Sequence, residues 1–220
     1  MASLERLIEF LSFIFAPPVC LHCKKKLLVR SHFCASCFTK ILPIVSYNLA
    51  ITSTKKIKVY ALSGYNEFLR PLVLAKRSKK VEGSYILAEL IWQKTNFSQL
   101  LCDVLVPVPL HWTRRMQRGF NQSEEISKYL SKKKGVDTAP LVTRIAQTMY
   151  QADVPIKLRA DNVKNAFILS QAIDCTWYKG KHIILIDDLM TTGNTLKYVA
   201  RELLCLKPAS ITAFVACRAM

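Results

Sequence analysis

The segment 181–206 constrains the fold more than any other part of the chain, because four recognisable pieces follow one another within it. Residues 182–186 form a nearly unbroken apolar run of β-branched and leucine side chains, which is typical of a strand buried on both faces. Asp187 and Asp188 end this run, and a turn of small residues follows at 191–195. From Leu196 onward apolar side chains recur at helical spacing. The segment therefore predicts a strand, an acidic pair, a turn and a helix, in that order.

This arrangement suits a phosphorylated sugar. Free backbone N–H groups and the positive end of the macrodipole at a helix N-terminus attract phosphate. Threonine hydroxyls add donors, and glycine permits a positive φ or a close approach of the ligand. Carboxylates can accept hydrogen bonds from ribose hydroxyls, directly or around a hydrated divalent cation. The candidate residues are Asp187, Asp188, Thr191, Thr192, Gly193, Asn194 and Thr195. The alternative is a capped strand-to-helix junction whose acids are simply solvated.

Four cysteines near the N-terminus have the spacing of metal ligands. Two Cys-x-x-Cys pairs, ten residues apart, can place four thiolates tetrahedrally around one zinc ion. Disulfides are the alternative, but the sequence shows no export signal, which favours a reducing compartment and zinc. We expect the neighbouring His22 and His32 to be exposed or to contact the ligands rather than to bind the metal. The predicted ligands of this structural zinc are Cys20, Cys23, Cys34 and Cys37.

The formal net charge of +17 is large for a chain of 220 residues. It favours an anionic partner, which can be nucleic acid, a phosphorylated metabolite or an acidic membrane surface. Residues 1–16 have the pattern of an amphipathic helix that ends at two prolines and is too short to span a membrane. We expect this helix to pack on the protein or on a partner, and contact with a membrane surface is the alternative. The expected location is cytoplasmic, with a peripheral position at the inner face of the inner membrane as the alternative.

The rest of the sequence predicts an α/β fold. Strand and helix patterns alternate along it, with strands predicted at 57–65, 103–109, 141–145 and 210–218 and helices at 68–75, 85–92 and 121–130. Strands separated by helices favour a parallel sheet with helices on both faces. Ligands of such sheets bind at the carboxyl ends of the strands. We therefore expect residues 107–118, 144–165 and 187–195 to lie along one edge.

Two motifs resemble known families. Ile-Leu-Ile-Asp-Asp-x-x-Thr-Thr-Gly-x-Thr at 184–195 resembles the phosphoribosyl-pyrophosphate (PRPP) binding signature of type I phosphoribosyltransferases. Val-Pro-Val-Pro at 106–109, followed by Arg-Gly-Phe-Asn-Gln at 118–122, resembles the competence protein ComF family. Members of that family join an N-terminal four-cysteine zinc motif to a phosphoribosyltransferase-like domain. The resemblance implies a zinc-binding segment at 1–45 and a type I phosphoribosyltransferase-like parallel sheet with flanking helices at 46–220.

The resemblance also implies a site for PRPP with Mg²⁺. Asp187 and Asp188 would hold the ribose and act as the catalytic residues, and the turn at 191–195 would hold the 5′-phosphate. Three cations, Lys76, Arg114 and Arg118, would face the pyrophosphate, because ammonium and guanidinium groups match phosphate oxygens. Residues 146–165 resemble the hood that closes over such sites, and its ligand-facing side chains would be Gln151, Arg159 and Asn162.

The ComF family is linked, by resemblance, to uptake of transforming DNA in competent bacteria, where members act with a DNA-uptake helicase and an inner-membrane channel. We therefore expect a protein that handles single-stranded DNA during natural transformation. The alternative is an active phosphoribosyltransferase that transfers phosphoribose from PRPP to an unidentified base in nucleotide salvage. Candidate DNA-binding cations are Lys24, Lys25, Lys26, Lys79, Lys80, Arg115, Lys132 and Lys133. Candidate stacking platforms, unless they belong to the core, are Phe33, Trp112, Phe120 and Tyr129.

Overall fold

The computed structural model describes residues 17–145, 166–171 and 173–219. The chain separates into two compact units, 1–42 and 43–220, so the structural boundary precedes the one expected from the sequence by three residues. The helix predicted at 1–16 and the hood predicted at 146–165 lie outside the described residues. In the described part of the chain, no helix has both the length and the apolar character needed to cross a membrane.

The N-terminal unit is a small loop structure around the four cysteines. Its backbone folds back on itself in a bridge between Val19 and Lys26, and a short helix α1 (Ala35–Thr39) begins directly after Cys34 and contains Cys37. Leu27 and Phe33 are buried in the loop between the two cysteine pairs. The described residues of this unit, 17–42, bury few side chains, and small domains of this kind usually need a metal or disulfides.

The C-terminal unit is built on a six-stranded sheet with the order β1-β2-β8-β7-β3-β4. The neighbouring pairs β2–β8, β8–β7, β7–β3 and β3–β4 are parallel, whereas β1 runs antiparallel to β2 at the edge. The six strands are β1 (Ile44–Ala50), β2 (Lys56–Gly64), β3 (Val104–Pro107), β4 (Asp137–Thr138), β7 (His182–Met190) and β8 (Ser210–Arg218). The predicted parallel sheet is therefore confirmed for its centre, and β1 makes it a mixed sheet.

In the described residues of this unit, five helices connect or flank the strands: α2 (Arg70–Leu74), α3 (Glu82–Lys94), α4 (Trp112–Arg118), α5 (Gln122–Lys134) and α6 (Asn194–Leu203). Short 3₁₀ turns occur at Ala75–Ser78, Phe97–Gln99, Cys175–Tyr178 and Leu204–Leu206. Helix α6 shows the pattern seen in its sequence, because Leu196, Val199 and Leu203 are all buried on one face.

The core lies on both faces of the central strands. The residues of β7 from Ile183 to Ile186 have no exposed surface, as expected for a strand covered on both sides. The predicted end of this strand at the acidic pair is wrong, because β7 continues to Met190 and still pairs with β8, where Asp187 lies opposite Val215. The two aspartates are thus held on a rigid strand and not on a loop.

The strand predicted at 141–145 exists, but it does not belong to the main sheet. It forms β5 (Val142–Arg144), which pairs antiparallel with β6 (Phe167–Leu169) as a separate two-stranded sheet. Leu141, Val142 and Phe167 are buried in the same core as the central strands. The side chains of this small sheet therefore lie near the main sheet without extending it.

Candidate functional site

The carboxyl ends of β3 and β7 meet at one edge of the sheet, because Pro107 lies opposite Ile186 in this parallel pair. A cavity of about 350 Å³ opens there. Its polar lining comes from four separate stretches of the unit and includes Lys76, Arg114, Arg118, Asn121, Gln122, Ser123, Arg144, Asp187, Asp188, Thr191, Thr192, Gly193, Asn194 and Thr195. The edge that topology predicts for ligands thus carries the acidic pair, the threonine turn and several cations together.

Asp187 is the more buried member of the acidic pair, with 8% of its surface exposed. Its Oδ1 accepts hydrogen bonds from the Ser123 hydroxyl at 3.0 Å and from the Asp188 backbone N–H at 2.9 Å. Burial, and then the neighbouring Asp188 charge, raise the pKa of Asp187 to about 8. Sequence reasoning missed Ser123, since a serine in the first turn of a helix is common and only the fold brings it to β7.

Asp188 forms an ion pair with Lys76, in which the ammonium Nζ donates to Oδ2. The two side chains are 14% and 12% exposed, so the pair lies largely away from solvent. Burial alone would raise the pKa of Asp188, but the Lys76 ammonium, its hydrogen bond and the more distant Arg118 charge lower it. The acidic pair therefore keeps one firmly ionised carboxylate and already attracts a cation.

The turn that carries Lys76 is fixed by two residues of neighbouring helices. Lys76 lies in the 3₁₀ turn Ala75–Ser78 that directly follows α2. The buried Gln122 donates its Nε2 to the Leu72 carbonyl at 3.1 Å. Gly83 of α3 lies so close that a Cβ there would be 2.7 Å from the same carbonyl oxygen. Gln122 and Gly83 thus hold the end of α2, from which the lysine turn starts.

The threonine turn joins β7 to α6 and has a backbone conformation that requires glycine. Gly193 has φ +80° and is the N-cap residue of α6, so no side chain is present there to cap the amides of the first turn. A Cβ at this position would lie 3.1 Å from the Leu49 side chain. Thr191 and Thr192 are exposed, whereas Asn194 and Thr195 are partly covered. The helix N-terminus thus presents amides and hydroxyls toward the cavity.

Arg114 and Arg118 line the cavity from α4, where their spacing of four residues places them on one face. The sequence around them explains the geometry. Gly119, with φ +80°, ends α4, and Asn121 then begins α5 by accepting a hydrogen bond from the Ser123 N–H at 3.2 Å. The amide Nδ2 of Asn121 donates to the Val108 carbonyl at 2.9 Å, which fastens the α4–α5 corner to the end of β3.

Arg144 is a further cation of the cavity that the sequence analysis did not single out. It lies at the end of β5, and its guanidinium stacks over the Phe167 ring at 5.4 Å from the centroid. Burial, followed by the proximity of Arg114, lowers the pKa of Arg144 to about 10. The sequence analysis expected residues 144–165 at this edge but gave Arg144 no role. Its position beside the other cations depends on the pairing of β5 with β6.

Within the C-terminal unit, the predicted DNA-binding residues do not form one cluster. Lys79 and Lys80 are exposed and follow the lysine turn, and Arg115 is exposed on α4 with an ion pair to Glu124 at 3.2 Å. Lys132 and Lys133 are exposed in the last turn of α5, about 15 Å along the helix from the cavity. The three lysines of the N-terminal unit, Lys24, Lys25 and Lys26, are exposed on its surface.

The four cysteine sulfurs of the N-terminal unit, from Cys20, Cys23, Cys34 and Cys37, lie within 4.8 Å of one another. The Sγ atoms of Cys23 and Cys34 are 3.7 Å apart, close to the ~3.8 Å edge of a tetrahedron with Zn–S bonds of about 2.3 Å. The Cys37 Sγ also lies 3.5 Å from His22 Nδ1. Burial would raise the pKa of Cys20, but hydrogen bonds from the backbone amides of the cluster lower it to about 6. The donor set therefore fits a structural metal ion.

Comparison with known proteins gives a consistent assignment. Residues 116–220 match the family model described as a phosphoribosyl transferase domain. The chain is 32% identical over 136 residues to the DNA utilization protein YhgH of Salmonella typhimurium, a match that covers 61% of this chain and 58% of that protein. It is 28% identical over 196 residues to Competence protein F of Haemophilus influenzae, with coverage of 84% and 78%. These matches support a phosphoribosyltransferase-like protein of the ComF family.

The chain spans a little under three fifths of the length of the first relatives it matches. Among solved structures it resembles a purine phosphoribosyltransferase from Pyrococcus horikoshii, with a TM-score of 0.37 and 15% identity over 64% of this chain and 82% of that one. The matched phosphoribosyl transferase domain and the sheet agree with the type I phosphoribosyltransferase-like fold expected from the sequence.

Proposed function

We propose that this chain binds PRPP or a related phosphorylated ribose in the cavity at the carboxyl edge of the sheet. The observation that supports the proposal is the meeting of three groups in one cavity: a buried acidic pair, a threonine turn at a helix N-terminus, and a set of cations on the remaining walls. Each group matches a different part of the ligand. Separately, each occurs in many proteins, and their combination indicates an anionic sugar.

The turn at 191–195 would bind the 5′-phosphate through backbone amides and threonine hydroxyls. Asp187 and Asp188 would accept hydrogen bonds from the ribose hydroxyls and act as the catalytic pair if turnover occurs. Two carboxylates on one strand also offer the oxygen ligands that Mg²⁺ prefers, and one of them, Asp188, pairs with the Lys76 ammonium. Bound Mg²⁺ would neutralise charge on the pyrophosphate. Lys76, Arg114 and Arg118, with Arg144, would contact the pyrophosphate oxygens.

A thermal-shift series tests this site. Addition of PRPP with Mg²⁺ at about 100 times Kd should stabilise the folded chain by about 2.7 kcal/mol. For a domain of this size that corresponds to a rise of about 5–11 °C in Tm. Asp188→Asn should lose most of the shift, whereas Lys79→Met, an exposed charge outside the cavity lining, should retain it. Equal shifts in Asp188→Asn and the wild type would contradict the proposal.

We further propose that the physiological role is the handling of single-stranded DNA during natural transformation, with a DNA-uptake helicase and an inner-membrane channel as partners. The support comes from the net charge of +17, from the exposed basic residues on both units and from the similarity to Competence protein F. Anisotropy with a labelled oligonucleotide should show an affinity that falls steeply with salt. Absent or salt-independent binding would remove the DNA role and leave the PRPP site untouched.

The second candidate is an active phosphoribosyltransferase in nucleotide salvage. The cations that line the same cavity as the acidic pair favour it, because stabilisation of a leaving pyrophosphate is the main contribution a protein makes to this transfer. A screen of free bases with PRPP, read as release of pyrophosphate, decides it. Stabilisation by PRPP without pyrophosphate release from any base would leave a ligand-binding protein and exclude catalysis with those bases.

A further inference from the structure

Helix α4 has the opposite polarity to an ordinary surface helix. The side chains of α4 that line the cavity are those of two arginines, Arg114 and Arg118. Trp112 and Met116, which are also four residues apart, are 67% and 77% exposed. A helix packed on a core normally buries its apolar side chains and exposes its charges. The apolar side chains of α4 thus lie on the surface, whereas its arginines line the cavity.

The exposed indole of Trp112 has a defined support. Trp112 is the first residue of α4, and its ring lies 5.8 Å from the ring of His111, the N-cap residue. His111 is only 4% exposed, and its Nδ1 lies 2.9 Å from the Thr113 hydroxyl and accepts from the Thr113 N–H. A buried and hydrogen-bonded imidazole thus lies next to the indole, and 67% of the Trp112 surface is exposed.

We propose that the outer face of α4, formed by Trp112 and Met116, is a stacking platform for the bases of single-stranded DNA whose phosphates bind the cations on the inner face. The proposal rests on the DNA-handling role proposed above and names the surface that performs it. Aromatic side chains next to a cationic groove are the usual means by which proteins bind single strands without sequence preference. Here one short helix supplies both, with the exposed Arg115 between its two faces.

A flexible strand fits this helix better than a membrane surface does. The cations of α4 face a concave cavity, which a flat bilayer cannot enter. A single strand can follow the rim, placing a phosphate toward Arg114 and Arg118 while a neighbouring base lies against the indole. Of the four aromatic candidates, the structure leaves Trp112 in the most suitable position, because Phe33 is 3% exposed, Phe120 is partly covered and the Tyr129 hydroxyl donates to Glu89.

The test is an anisotropy titration of the full chain with a labelled oligothymidylate of about 16 nucleotides, the upper end of usual site sizes. Trp112→Ala should weaken binding by about 5- to 150-fold, the range observed when one stacking aromatic is removed. Its salt slope should match that of the wild type, because stacking releases no counterions. Trp112→Phe should restore most of the affinity. Arg114→Gln should instead reduce the salt slope.

Trp177→Ala is the matched control, since Trp177 is 50% exposed on the turn Cys175–Tyr178, away from the cavity lining, and should bind as the wild type does. Unchanged affinity of Trp112→Ala, beside a weakened Arg114→Gln, would overturn the platform while the DNA-handling role stands. Failure of the wild type to bind the oligonucleotide would overturn both. If Trp112→Ala binds anionic vesicles more weakly than the wild type but keeps its DNA affinity, this face belongs to a membrane contact and the proposal is overturned.

Discussion

The ion pair between Lys76 and Asp188 gives the sharpest test of the site's electrostatics. Lys76→Met removes the ammonium and keeps a side chain of similar length. The carboxylate would then stay buried beside a second acid, because both side chains of the pair are less than 15% exposed. Removing one partner of a buried pair costs about 3–5 kcal/mol. Arg118 also lowers the pKa of Asp188, so some compensation remains and we expect a loss of about 3 kcal/mol.

Urea unfolding measures this loss directly, and a loss of about 3 kcal/mol corresponds to a fall of about 6–12 °C in Tm for a domain of this size. The double variant Lys76→Met with Asp188→Asn should recover most of the stability, because it removes both charges together. Lys79→Met, three residues along and exposed, should change stability by less than about 0.5 kcal/mol. If Lys76→Met costs under about 1 kcal/mol and the double variant shows no coupling, the buried pair does not exist as described.

Three further predictions concern other parts of the chain. The pKa of Asp187 is about 8 in the folded state and about 3.9 in the unfolded state, so between these values the folded chain holds a proton that the unfolded chain releases. The free energy of unfolding should therefore fall as pH rises from 4 to 8. Asp187→Asn should flatten this dependence in urea titrations at several pH values. The positive φ should cost about 1–2 kcal/mol in both Gly193→Ala and Gly135→Ala; Gly193→Ala should cost more in urea unfolding, because only there would the new Cβ lie 3.1 Å from the Leu49 side chain. The purified chain should contain one zinc ion, and Cys37→Ser should lose it and unfold the N-terminal unit at lower denaturant; a metal-free wild type of equal stability would contradict the assignment.

Some features could be predicted from the sequence because they depend on neighbours in the chain. The strand at 182–186, the glycine turn and the helix after it follow from hydrophobic periodicity and turn chemistry over a few residues. The cluster of four cysteines could also be predicted from local sequence, since two short motifs only ten residues apart can meet in a compact loop. The parallel centre of the sheet also followed from the alternation of strand and helix patterns.

Other features needed the fold. The strand pairing that carries β7 past the acidic pair to Met190 is a contact with β8, which no local pattern reports. The small sheet of β5 and β6, and with it the position of Arg144, depends on residues on both sides of a long connection. The edge strand β1 was missed because it pairs antiparallel with β2, outside the alternating pattern of strand and helix.

The sequence by itself determined the chemistry available to this chain: two adjacent acids, a threonine turn, a set of cations and four thiols. The tertiary structure decided which of these groups meet. Lys76 reaches Asp188 across 112 positions, and Ser123 reaches Asp187 across 64. It also decided that the arginines of α4 face inward and its tryptophan outward. The physical reason is that helical and strand periodicity arises from local backbone geometry, whereas partners of buried charges are chosen by packing of distant segments.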